Sequence, residues 1–465
     1  MVLALSAVDR GIDMSDTTTA NEYLQGPFAP VTEEVTLTDL EVRGTLPPEL
    51  DGRYLRNGPN PIDADPATYH WFLGSGMVHG LRLRDGRAEW YRNRWVRDTG
   101  TAAQLGEADP GGPSHNDDGS EGPVNTHVIG WGGRTLALVE AGSFPIELDD
   151  ELATIGRSDF DGTLTGAFSA HTKVHPGTGE LHAVTYWWPE ESVRHVVVGA
   201  DGRVRRELEV PVGGRPMVHD HALSASRVAL FDFPVQFDLE AAMSGERFPY
   251  RWEDDRPARV GLLPIDGGAD DVVWCSVDPC YVYHPANAVD LADGSFQVDV
   301  VRHPSTFRTD RHGPDEGPPV LARWRIDPAD GVVHEEVLDD RPVEFPRFDE
   351  RRAGAEVRYT YTTSISLGER TGPVEGAVVR YDLASGTRTE WSPGHGRAAG
   401  EFVVVPRDGS VDEDDAWLVG LVHDDGAGRA QLAVLAADDV ESGPVATVEI
   451  PVRVPLGFHG SWIPA

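Results

Sequence analysis

Two cysteines in 465 residues, Cys275 and Cys280, are too few for a disulfide framework. Their scarcity fits a reducing cytoplasm, with a single bridge across the intervening Ser-Val-Asp-Pro left open. Long apolar runs are missing as well, since none approaches the ~18 residues of a membrane-spanning helix. The N-terminal VLALSAV lacks a basic start and is too short for a secretory signal, and Met14 offers an alternative start. Positive charge is in deficit: 40 basic residues face 77 acidic ones, for a net charge of −37. Such a surface repels phosphate backbones and anionic headgroups, which excludes nucleic acid as a partner and disfavours strong adsorption to anionic bilayers. Helical patterning is sparse too, with 151–157 (ELATIGR) and 234–246 (PVQFDLEAAMSGE) as the best short candidates. No clean internal repeat is visible.

What the chain does have is turn chemistry. Asp-Gly pairs recur from Asp51 to Asp425, several of them between β-rich runs. HVVVGADGRVRRELEV (195–210) and VVRYDLASGTRTEW (378–391) have strand–turn–strand form, and GSFQVDVVRH (294–303) is another such strand run. Asp-Gly between alternating apolar residues is a strong hairpin signal, because primed turns need positive φ. The chain therefore reads as all-β. Hairpins over this length cannot make one open sandwich, so closure by radial repetition is the natural way to remove exposed edges. Residues 1–25 read as a flexible tail and 26–465 as a single domain without a linker.

Four histidines stand in distinctive settings: His171 in SAHTKVHP, His219 in PMVHDHALS, His284 in CYVYHPANAVD and His459 in PLGFHGSWIPA. Intervals of 48 to 175 residues separate neighbours, so only the whole fold could unite them. A metal is the usual reason imidazoles converge, and neutral imidazole suits iron, zinc, copper and nickel. Against this, most of the 17 histidines should be surface or hydrogen-bonded structural residues. His175, His182, His395 and His423 read that way. His219 and His221 are two apart, so on a strand either or both could reach one ion.

The four runs resemble those of the carotenoid cleavage oxygenase family. LRNGPNP (55–61) and YHWFLGSGMVHG (69–80) are similar to its opening signature and GFHGSWIP (457–464) to its closing one. EFPRFDERRAGAEVRYTY (344–361) and EFVVVPRDGSVDEDDAWLVGLVHD (401–424) are similar to further family blocks, in the same order. The resemblance spans roughly residues 30 to 465. It implies a seven-bladed β-propeller with a loop and short-helix cap over the active-site face. It also implies a non-haem iron(II) dioxygenase that cleaves a C=C bond of a carotenoid or apocarotenoid with O2, giving two aldehydes. His171, His219, His284 and His459 would be the ligands of Fe(2+), with His219 selected by the Asp220 that follows it. His79, within GMVHG, matches a family run but no ligand position. Four histidines would close a tetrahedral zinc site, whereas an ion preferring six ligands keeps positions open.

Glu140, Glu344 and Glu401 match the family's outer carboxylates, which accept the other N–H of metal-bound imidazoles and supply missing negative charge. The alternative is a buried Arg–Glu pair using Arg347 or Arg407. Phe144, Phe458 and Trp462, beside the motifs, are candidate tunnel walls or ordinary core. Family members that cleave stilbenes carry a lysine where this chain has Val139, which favours an uncharged polyene here, with stilbene cleavage as the alternative. Ser75 replaces the aspartate more common in the family. A different class of reading, a metal-free propeller scaffold, is disfavoured because all seven positions are intact. Lipid-soluble substrates predict transient membrane contact, and FDFPVQFDLEAAM (231–243) is either that patch or a packed strand with a short helix.

Overall fold

Hairpins dominate the architecture as the turn chemistry predicts. The computed structural model describes residues 21–115, 122–314, 316–364 and 375–465. Ser192–Val198 pairs antiparallel with Val204–Pro211, and Val378–Asp382 with Thr387–Trp391. Among the described residues the strands form seven hydrogen-bonded sheets: three of four strands, two of five, one of eight and a two-stranded ribbon. The fold is all-β and propeller-like. Its sheets do not divide cleanly into the seven blades expected, because one parallel pair, Ser276 with Val332, fuses two meanders into the eight-stranded sheet.

The chain ends close the ring. Gly52–Arg56 pairs with Met77–Arg84 on one side and with the C-terminal Gly460–Pro464 on the other. Val42–Gly44 in turn completes the sheet of Pro444–Ile450. These pairings join the two ends of the chain across the ring, so neither terminal strand is left unpaired. Gly44 is required at this seam: its φ is +79°, and a Cβ there would fall 2.2 Å from the Val445 carbonyl oxygen. Apolar residues of successive sheets interdigitate in several clusters, one centred on Phe231, Phe233, Tyr281 and Trp324 and another on Leu81, Val419, Leu432 and Val448.

Several expectations change. Residues 1–20 of the expected tail lie outside the described residues, but 21–25 are packed. Glu22–Leu24 forms a 3-10 turn whose Tyr23 is buried against Trp71, with ring centroids 5.4 Å apart. No helix forms at 151–157, where Thr154–Arg157 is a strand held by Ile146–Leu148. Within 234–246 the helix is only Leu239–Met243, preceded by the strand Val235–Phe237. Sheet pairing overrides local helical pattern at both places. The segment 231–243 is thus packed at its start, while Leu239 and Met243 are 49% and 81% exposed at its end. No helix among the described residues is long and apolar enough to cross a membrane. Cys275 and Cys280 are both free and buried, so the bridge left open does not form.

Candidate metal centre

Five of the sheets end in strands from which polar side chains reach one common point. His171, His219 and His459 stand just before Thr172–Val174, Ala222–Leu223 and Gly460–Pro464. His284 lies within Tyr281–Asp290, Glu344 within Val343–Arg347 and Glu401 within Arg397–Pro406. All six are edge strands of their sheets, and the eight-stranded sheet contributes both of its edges. Register breaks fall between Val282 and Ala288, between Glu344 and Arg347, and between Ala399 and Phe402. Bulges of this kind re-aim a side chain, here His284, Glu344 and Glu401. Pro285 is tolerated beside His284 because an edge strand need not donate there.

The four histidines converge as expected. Ligand atoms of His171, His219, His284 and His459 all lie within 4.8 Å of one another, and all four side chains are buried. His284 Nε2 is 3.3 Å from His219 Nε2 and 3.1 Å from His459 Nε2. Three rings turn their Nδ1 atoms outward onto carboxylates. His219 Nδ1–H donates to Glu140, His284 Nδ1–H to Glu344 at 2.5 Å, and His459 Nδ1–H to Glu401 at 3.1 Å. These bonds place the proton on Nδ1, so the Nε2 lone pairs point at one another. Buried lone pairs facing across about 3 Å repel unless a cation sits among them. His171 Nε2 is buried with no partner at all among the described residues. Its Nδ1 is 3.6 Å from Asp220, too far for a hydrogen bond. The residues present therefore fit a metal ion. Burial holds the His171 and His459 rings well below the ordinary histidine range, and neighbouring rings add to this, so both stay neutral donors.

Each carboxylate is itself anchored differently. Glu140 accepts from the Tyr186 hydroxyl. Glu344 accepts from His303 Nε2 at 2.6 Å and from the Phe345 amide at 2.7 Å. Burial raises the Glu344 carboxyl, but His284 and His303 more than reverse this and hold it well below the usual range. Glu401 accepts the Gly460 amide at 2.7 Å and lies 3.5 Å from Arg347. The Arg–Glu alternative thus holds for Arg347, in addition to the histidine contact. Arg407 instead pairs with Asp415 and Asp438. His221 is buried but stands outside the cluster, and neither ring nitrogen has a hydrogen-bond partner among the described residues.

Sequence reasoning missed three neighbours. His303 supports Glu344. His127 packs its ring 5.4 Å from His459, with Nδ1 3.0 Å from the Ala170 carbonyl. Phe345 sits between His284 and His459, its ring centroid 5.5 and 5.4 Å from theirs, at a left-handed φ of 55°. Its place directly after Glu344 was the available signal.

A cavity of about 920 Å³ opens onto the cluster, within the size range of small-molecule sites. Phe72, Val139, Tyr186, Phe248, Phe345 and Phe458 give it an apolar wall. Phe458 thus borders the cavity. Phe144 and Trp462 are not on that wall: Phe144 packs with Leu136, Phe160 and Phe168, and Trp462 covers the core around Tyr54 and Leu83. Phe144 and Phe458 stand outside the strands and Trp462 within Gly460–Pro464, so closeness to a motif does not by itself put a ring in the cavity.

A family model described as retinal pigment epithelial membrane protein matches residues 28–464. A protein of Mycobacterium tuberculosis named carotenoid cleavage oxygenase is 43% identical, over 96% of this chain and 98% of that protein. The crystal structure of Pseudomonas brassicacearum lignostilbene dioxygenase superposes with a TM-score of 0.85 at 28% identity, covering 96% and 98% of the two chains. That of cobalt-substituted Synechocystis ACO gives 0.82 at 27% identity, over the same shares.

Proposed function

Since this chain belongs to the carotenoid cleavage oxygenase family, we propose that it is an iron(II) dioxygenase splitting a C=C bond of a carotenoid or apocarotenoid into two aldehydes. The observation that carries this reading is the cluster of four buried Nε2 atoms, three of them backed through Nδ1 by carboxylates. His171, His219, His284 and His459 would hold ferrous iron, which supplies activation of O2 toward the double bond. Glu140, Glu344 and Glu401 fix the tautomers and provide the negative charge that neutral ligands lack. The cavity wall holds the polyene in place over the cluster and keeps bulk water out, so the protein's contribution is orientation. Phe345 and Phe458 are the rings placed to press on it.

In the same reading the eight-stranded sheet is two four-stranded blades meeting at the single Ser276–Val332 pair, which gives seven blades in one catalytic domain. Two unpaired buried cysteines support a reducing, cytoplasmic setting. Exposed Leu239 and Met243, near Phe248 and Tyr250 on the cavity wall, suit transient contact with lipid during substrate uptake.

The test is iron analysis of protein purified without oxygen, followed by incubation with an apocarotenal and with a hydroxystilbene. The expected result is close to one iron per chain and cleavage of the apocarotenal. Iron near zero, with no cleavage gained on adding ferrous salt, would leave a scaffold. Turnover of the stilbene alone would overturn the substrate class; Val139 on the cavity wall offers no cation to a phenol.

A further inference from the structure

Arg56 is the last residue of the strand Gly52–Arg56 and is only 4% exposed, yet it lies on the wall of the same cavity. Of its five N–H donors, one is accounted for by the Pro455 carbonyl, 2.6 Å from Nη2. No carboxylate pairs with it among the described residues. The contrast with Arg347 is direct, since that buried guanidinium has both Glu350 and Glu401. Arg247, also on the wall, is exposed and solvated. Leaving a buried charge uncompensated is costly, so a partner is expected in the space it faces.

The surroundings are built to keep that charge. A Cβ at Gly457 would fall 1.5 Å from a guanidinium nitrogen, and one at Gly58 2.6 Å from it, so two glycines make room for the group. His423, on the same wall, and His79, opposite Arg56 in register, are driven by burial and then by the arginine's own charge to stay neutral. Burial lowers the guanidinium itself to about 10, which leaves it protonated at neutral pH. Leu421, Leu456 and Phe458 continue the wall as an apolar surface.

We propose that Arg56 binds an oxygen-bearing end group of the polyene, with a carboxylate as the preferred chemistry. A carboxylate can take two parallel N–H bonds from a guanidinium, while the polyene body lies along the apolar wall. This rests on the polyene reading of the site and names its substrate more closely: a chain uncharged along its length but acidic at one end.

The experiment compares an apocarotenoic acid with the hydrocarbon of equal polyene length. Binding to metal-free wild-type protein is followed by tryptophan quenching, so the result does not depend on cleavage. We expect the acid to bind at least about tenfold more tightly, the gain of a hydrogen bond to a charged group. Equal affinity for the two ligands overturns the proposal. Where R56Q folds, it should abolish the acid's advantage and R56K should restore part of it; an R56Q protein that still prefers the acid also overturns it. Should the metal-free protein prefer the acid while the iron-loaded protein cleaves neither ligand, the dioxygenase reading fails and the Arg56 subsite stands.

Discussion

His284 and Glu344, 60 residues apart in the chain, meet through an Nδ1–Oε2 contact of 2.5 Å, and the carboxylate's other oxygen takes His303. The bond fixes the His284 tautomer and orients its Nε2 toward His219 and His459. Supporting partners of this kind are worth about 10–100-fold in metal affinity. Glu344→Ala should weaken metal binding by that range, read by competition with a chelator on folded protein. Unchanged affinity would show that packing alone orients the ring.

His221 gives the opposite expectation. Both of its ring nitrogens are buried without a hydrogen bond among the described residues, so an apolar ring of similar shape removes an unfavourable burial. His221→Phe should still bind a metal as the unsubstituted protein does and hold or gain stability by about 1 kcal/mol. Loss of metal binding in this variant would bring His221 into the metal site.

Acid should destabilise the fold through a second histidine pair. His182 Nδ1 lies 3.0 Å from His195 Nε2. Burial, with neighbouring histidines adding, lowers His182 to about 4 and His195 to about 3. The ordinary value is near 6.5, so in acid the unfolded chain binds protons that the folded one refuses. Stability from this pair is complete above pH 6.5 and is lost as pH falls from there toward about 4 for His182 and about 3 for His195. The slope reaches about 1.4 kcal/mol per pH unit for each group. Urea midpoints between pH 8 and 5 should fall less steeply when both residues are leucine. An unchanged slope would assign the acid sensitivity to other groups.

Phe345 combines a left-handed backbone with a ring against two ligand histidines. A β-branched residue suits that conformation worse, so Phe345→Val should cost about 1–2 kcal/mol in thermal unfolding. Phe345→Gly relieves the backbone but removes the ring, and should raise KM while losing less stability than valine. Equal behaviour of the two variants would deny the backbone a role.

Phe458 and Trp462 are four residues apart and should separate cleanly. Phe458→Ala takes a ring from the cavity wall and should raise KM. Trp462→Ala removes core cover and should lower stability, by about 3 kcal/mol or less since the ring is only partly buried, with KM little changed. The reverse pattern would mean that the cavity extends to Trp462.

Much of this was legible locally. Asp-Gly turns and alternating runs specify hairpins because turn conformation and strand pleat depend on a few adjacent residues. The short helices were not, since 151–157 has helical pattern yet pairs as a strand. The roles of His303, His127 and Arg56 were not legible, although Arg56 lies within the 55–61 run and His303 ends the 294–303 run, because each acts on a partner that no local period connects to it.

The sequence by itself determined an acidic, hairpin-built chain, the identity of the four rings, and the carboxylates that match them. Tertiary structure alone decided that the Nε2 atoms face one another, that His221 stands aside, that Phe458 and not Trp462 borders the cavity, and that Arg56 is buried there with no counter-charge among the described residues. The reason is physical: pattern along a strand fixes which face a side chain takes, whereas the group it meets across a closed ring of sheets depends on bulges, register and closure.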